Sequence, residues 1–159
     1  VQVYVLTSAI SDTVNTPVIA TYDDATVLGP DAHPSATLFI FTTGKHLSYE
    51  TGGQVLLPSW RDDLDDVIDF EAERRINIPF APYKQRNATR KTQEYNAAYG
   101  MDQANWPPDA VAGQNEINRG WNYVTQVRSA SNSLKNTAPL NPCDDSNWPA
   151  TIPPITVPV

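Results

Sequence analysis

Two histidines, one cysteine and eighteen acidic side chains are the groups in this 159-residue chain best suited to acid–base or nucleophilic chemistry. A histidine becomes a catalyst only when a hydroxyl, thiol or carboxylate converges on it. His33 lies between Asp31 and Pro34 in a turn, and His46 opens a strand. Neither belongs to a His-Glu-x-x-His pair, and no Gly-x-Ser-x-Gly elbow presents a nucleophile. Both read as ordinary surface or turn histidines. The paired carboxylates of a glycosidase meet only in the fold, and with eighteen acids some pair is inevitable, so spacing alone has no specificity. Cys143 stands alone, which excludes an internal disulfide and a zinc site built from several thiolates. The expectation is a protein without catalytic, metal or cofactor residues, and not an enzyme.

The densest charge cluster is Asp62-Asp63-Leu64-Asp65-Asp66. A calcium loop needs oxygens converging from alternate positions, a Gly to turn the chain and a distal Glu. These acids fall on a helical stretch without Gly and diverge, so they read as a solvated face at the favoured end of a helix dipole. Lys84, Arg86, Arg90 and Lys91 are four of the eleven basic residues, flanked by Tyr83 and Tyr95. They could follow a nucleic-acid backbone, but the net charge of -7 opposes phosphate or anionic-membrane binding. The acidic helix upstream is the nearer partner, and the two helices are expected to pair as a charge-matched hairpin. Each exposed pair contributes only ~0.3–0.5 kcal/mol, so such charges select register more than they stabilise. No apolar run approaches the ~20 residues that span a bilayer. The first six residues lack the basic lead and apolar stretch of a signal peptide, which leaves earlier processing open.

Residues 1–58 read as β-structure. Val1, Val3 and Val5 alternate with Gln2, Tyr4 and Leu6, the period of a strand. Pro17–Tyr22 is a second strand, followed by an Asp23-Asp24 turn. Thr37–Thr42 is apolar on both faces and is expected to be buried. Gly52-Gly53 separates His46–Glu50 from Gln54–Leu57 at hairpin spacing. Strands 37–42, 46–50 and 54–57 are expected to form an antiparallel meander.

Residues 59–136 read as helices packed on that sheet. Trp60, Leu64, Val67, Ile68, Ala72 and Ile76 follow the helical period, with Ser59 and Asp62 placed as a capping box. A second helix is predicted from about Tyr83 to Tyr99, stopped by Gly100. A third, capped by Asp109, carries Ile117, Trp121, Val124, Val127 and Leu134. Gly113 and Gly120 each weaken it by roughly 1 kcal/mol relative to Ala. Residues 137–159 hold six prolines, which forbid a helix and disfavour a central strand. A proline-rich end is normally frayed. Where it is ordered, either its own domain or a neighbouring subunit holds it, and an arm gripping a neighbour is the reading adopted. Pro139, Pro142, Trp148, Pro149, Pro153 and Pro154 are then the suspected interaction residues.

The helical half also resembles a known group. Ile68-Asp69, Ala72-Glu73 and Arg74-Arg75, then Pro79 or Pro82, Gln85, Lys91 and Glu94-Tyr95, are similar to a helical hairpin of bacteriophage tail and tail-associated proteins. Glu116-Ile117-Asn118-Arg119, with Val127 and Ala130, resembles the third helix of that pattern, and Asp145-Ser146-Asn147-Trp148-Pro149 the acidic-Trp-Pro endings of tail-assembly proteins. The resemblance covers roughly residues 60–150 and implies a virion or assembly role with no catalytic residues to carry over.

The expected fold is therefore α+β, with an N-terminal antiparallel sheet (meander or sandwich-like), two to three helices and an extended Pro-rich C-terminal arm, in one domain overall. The expected function is a non-enzymatic structural component of a virus particle, in a bacteriophage tail, fibre or head surface. Its expected location is the virion, and its partners further copies of itself and other virion proteins, not nucleic acid or membrane. Deleting residues 137–159 is expected to abolish assembly. The alternative is a carbohydrate-binding module with a sugar ligand, using Tyr4, Tyr22, Tyr49 and Trp60 on the sheet.

Overall fold

A computed structural model of the chain describes residues 1–23 and 33–159. Five strands, β1 (Gln2–Leu6), β2 (Thr16–Tyr22), β3 (Ala36–Ile40), β4 (Leu47–Glu50) and β5 (Gly53–Leu56), precede three helices, α1 (Leu64–Asn77), α2 (Pro82–Tyr99) and α3 (Pro108–Thr137). This is an α+β chain with an antiparallel sheet in its N-terminal half. Two compact units emerge, residues 1–72 with 130–148 and residues 73–129 with 149–159. Their boundaries fall within α1, within α3 and between Trp148 and Pro149, away from the divisions at 58 and 136 drawn from composition.

In the first unit the strand order is β3-β1-β2-β5-β4 in one sheet. The β4–β5 hairpin forms, but Glu50 stands opposite Gly53, so the loop is Thr51-Gly52 and not the expected Gly52-Gly53. The meander does not form. β3 pairs along its whole length with β1, from Gln2 opposite Ile40 to Leu6 opposite Ala36. The hairpin attaches instead to the start of β2, through Thr16 opposite Leu56. The reason is one of matching faces. β1 and β3 are both five residues long and bury alternate positions, whereas β4 has no buried position to set beside Thr37 and Phe39. β3 is therefore an edge strand buried on one face, not a central strand buried on both. The Asp23-Asp24 turn extends outside the described residues.

The core of this unit gathers Val3, Val5, Phe39, Leu56, Trp60, Val67 and Ile68, all fully buried. Trp60 lies 5.0 Å from the Phe39 ring, and its Nε1–H donates to the Ser11 carbonyl at 3.0 Å. Each such apolar side chain contributes about 1.5–3 kcal/mol through burial. The predicted apolar stripe of α1 is buried throughout, from Trp60 to Ile76. Its start differs. A 3-10 turn over Pro58–Asp63 comes first, without a side-chain cap, and α1 begins at Leu64.

In the second unit α2 and α3 run antiparallel. Thr92 Oγ1 donates to Gln114 Oε1 at 3.0 Å, and the Phe80 ring meets Trp121 edge-on at 5.1 Å. Both helices place a proline in the first turn, where its fixed φ is favourable and the missing N–H costs nothing. Asp109 is consequently inside α3 and not its cap. α2 stops at Gly100, whose φ of 83° suits glycine. Trp106 Nε1–H donates to the Gly100 carbonyl at 2.8 Å and ties the connection down.

Candidate functional site

Three residues assigned unrelated tasks from sequence meet in the first unit. β5 runs back along β4 so that the Leu57 N–H donates to the His46 carbonyl at 2.7 Å. Ser59 follows two residues later, and the 3-10 turn brings Asp63 round to the same imidazole. His46 Nδ1 lies 3.0 Å from Ser59 Oγ, and Nε2 lies 2.9 Å from Asp63 Oδ2. Lys45 Nζ pairs with the same carboxylate oxygen. The hydrogen bond from Lys45, reinforced by that from His46, holds the Asp63 carboxyl below its usual range.

An ionised carboxylate only accepts, so Nε2 carries a proton, and in the neutral imidazole Nδ1 is then the acceptor for the Ser59 hydroxyl. This is the polarity of a base-activated hydroxyl with an oriented base. His46 is 4% exposed and its ring lies 5.1 Å from Phe41, while Ser59 faces solvent. The same bonds also clamp the start of β4 to the turn before α1. A cavity of about 520 Å³ lies elsewhere, on α3 in the second unit, lined by Asn115, Asn118, Arg119, Asn122, Tyr123, Gln126 and Ile152.

The suspected arm residues are held by their own chain. Arg61 donates to the Ala138 and Pro139 carbonyls, and Trp148, 7% exposed, donates Nε1–H to the Pro142 carbonyl at 2.8 Å. Pro142 is buried and Pro149 half-buried. Pro153 and Pro154 are exposed, and their carbonyls accept from Arg119 at 3.0 and 3.4 Å. Ile155 is fully buried, with its N–H on the Pro79 carbonyl at 2.8 Å. These contacts give the segment partners within its own chain. An extended chain must find partners for its main-chain groups outside any helix or sheet, and side chains of α2 and α3 supply them.

Several of the helix charges have partners off the expected hairpin. Asp63 pairs with Lys45, and Asp69 with Lys135 at 2.7 Å. Arg90 and Lys91 pair with Glu94 on α2 itself. Lys84 and Lys91 also donate to the carbonyls of Ile155 and Val159, at 2.8 and 2.9 Å. Of the aromatics suggested for a sugar platform, Trp60 is core and offers no surface. Tyr4 and Tyr22 cross at 87° beside His33, and Tyr49 is 80% exposed on β4. Among the described residues no cluster of three His, Cys, Asp or Glu is placed to hold a metal ion, and no helix is long and apolar enough to cross a membrane.

Fold and site together define an α+β chain whose second unit grips its own extended end. No family model matches it, and no curated protein or solved structure does so either.

Proposed function

We propose that this chain is a non-enzymatic structural component of a virus particle, of the bacteriophage tail, fibre or head-surface kind, that works through contacts between copies of itself. The observation carrying this reading is the second face of the sheet. Residues directly opposite in antiparallel strands share a face. Tyr4 therefore stands with Leu38 and Ala20, Leu6 with Ala36, and Gln2 with Ile40 and Tyr22. None of these is fully buried, and Leu6 is 44% exposed. An antiparallel sheet that turns one face to water usually alternates apolar with polar. On β1, β2 and β3 these positions are apolar with the exception of Gln2, and with His33 packed on Tyr4 and Tyr22 the apolar stretch around Leu6, Leu38 and Ile40 supports a contact surface. The helical resemblance supports the viral setting.

Sedimentation velocity over a concentration series tests the contact. Self-association of the wild-type chain should weaken at least about tenfold in Leu38→Lys, which places a charge on that face. A wild-type chain that stays monomeric, or a variant that associates equally well, overturns it. Detection of the chain in purified phage particles tests the setting.

The Ser59–His46–Asp63 relay favours a second reading, hydroxyl-based acyl transfer. A fluorophosphonate probe should then label Ser59 in the wild-type chain and leave Ser59→Ala unlabelled. Absence of labelling removes this reading.

A further inference from the structure

The groove between α2 and α3 receives the last residues of the chain in an unusual way. Lys84, Lys91 and Arg119 donate to the carbonyls of Ile155, Val159, Pro153 and Pro154. Glu116 Oε1 accepts from the Thr156 N–H at 3.0 Å, and the Pro79 carbonyl from the Ile155 N–H. Each of these polar contacts is to main chain. Arg119 and Glu116 are already locked to one another, with Nε to Oε2 at 2.9 Å and Nη2 to Oε1 at 2.6 Å. The groove is thus preorganised, and the prolines preorganise what enters it, since polyproline-like chain has little freedom to lose. Ile155 is the one fully buried side chain of the segment. Pro158 lies over Gly113, where an added Cβ would come within 2.8 Å of it.

We infer that this groove is a docking site for an extended, proline-containing peptide segment, and that the C-terminal segment of a second copy can replace the chain's own. A site that reads main chain and one isoleucine treats the two segments alike, because their sequences are identical. The docked contacts begin at Pro153, so an exchange has to re-route the chain just before that residue. The covalent connection favours the chain's own segment by an effective concentration on the order of millimolar. Exchange therefore belongs to settings where copies are crowded to that level, as in an ordered assembly. The inference shares with the proposed function the premise that copies meet, but it concerns another surface.

Complementation between two full-length variants tests it. Ile155→Asp vacates its own groove and cannot fill another, while Lys84→Ala/Arg119→Ala keeps a competent segment beside a weakened groove. With Leu38→Lys added to both to silence the sheet contact, each should be monomeric alone, and their mixture should give a heterodimer by light scattering. A fluorescent peptide of residues 149–159 should bind the Ile155→Asp chain, and the same peptide carrying Ile155→Asp should bind about tenfold more weakly or worse. Peptide binding without a heterodimer overturns the second copy as occupant, and no peptide binding overturns the site. Should circular dichroism show Ile155→Asp unfolded, the wild-type chain titrated with the same peptide to millimolar concentration decides, saturable binding supporting the site and none refuting it. Because the sheet contact is silenced in these chains and residue 38 lies outside the groove, failure here is separate from failure of the sheet contact.

Discussion

Gly120→Ala sets two well-understood effects against each other. Inside a helix this replacement ordinarily stabilises by about 1 kcal/mol. In α3 the new Cβ would lie 2.9 Å from Cε1, 3.0 Å from Cδ1 and 3.1 Å from Cζ of Phe80. The Phe80 ring is fully buried and edge-on to Trp121, so it has no free space to enter. Overpacking of this kind costs about 1–3 kcal/mol. The steric term wins, and a net loss of about 1 kcal/mol is expected, or about 2–4 °C in Tm for a chain of this size. Urea unfolding followed by far-ultraviolet circular dichroism measures it. In a Phe80→Leu background the obstruction is gone and the same replacement should gain about 1 kcal/mol, an inversion of sign within one double-mutant cycle. Stabilisation by Gly120→Ala in the wild-type background, or equal effects in both, refutes the close-approach account.

The remaining predictions concern the end of α3 and acid. Ala138 has a φ of 48°, a left-handed conformation that costs alanine roughly 1 kcal/mol or more, so Ala138→Gly should raise the urea midpoint by the equivalent of about 0.5 kcal/mol after the entropy of the freer unfolded chain is subtracted. Glu116 is held below its ordinary 4.5, chiefly by the Arg119 hydrogen bond and further by the Thr156 N–H. Its contribution is complete above 4.5 and is lost as pH falls through the lower folded value, so the exchange protection factors of the Ile155 and Thr156 amides should fall there, and in Glu116→Gln they should be low at neutral pH already. Asp63, lowered from 3.8, obeys the same sign: wild type and Asp63→Asn should differ in stability above 3.8 and converge as acid protonates the native carboxyl.

What could be read from sequence is what depends on near neighbours. The β4–β5 hairpin followed from a glycine pair between two apolar runs, and the span of α2 from its proline start and Gly100 stop. The partner of β3 did not follow, because pairing with β1 is decided about 35 residues away by which strand presents a matching inward face. Leu38 and Ile40 made β3 look buried on both sides, whereas they stand on the outward face of an edge strand. Ser59 satisfied a capping rule, but an imidazole 13 residues back competes for the same hydroxyl. The expected hairpin did hold a clue: a loop at Gly52-Gly53 sets residue 46 opposite 59, and the observed register, two residues off, still keeps them close. Gly113 and Gly120 registered only as helix weaknesses. Their purpose lies in what they admit, the Tyr95 hydroxyl with Pro158 at one and the Phe80 ring at the other.

The same geometry explains why α2 is a helix at all. Ala88 is its only fully buried residue, and a helix so polar on every side lacks the apolar face that normally holds one in place. Its anchorage comes from Tyr95 against Trp106, Thr92 on Gln114, and two lysines reaching the carbonyls of the terminal segment. Removing residues 137–159 would withdraw those carbonyls and strip Cys143, Trp148 and Ile155 from the core in one step. Lost assembly after that deletion would report unfolding as readily as a missing intersubunit grip. Only changes confined to one side of the contact, at Ile155 or at Lys84 and Arg119, separate what the segment does for its own helix from what it does for a neighbour.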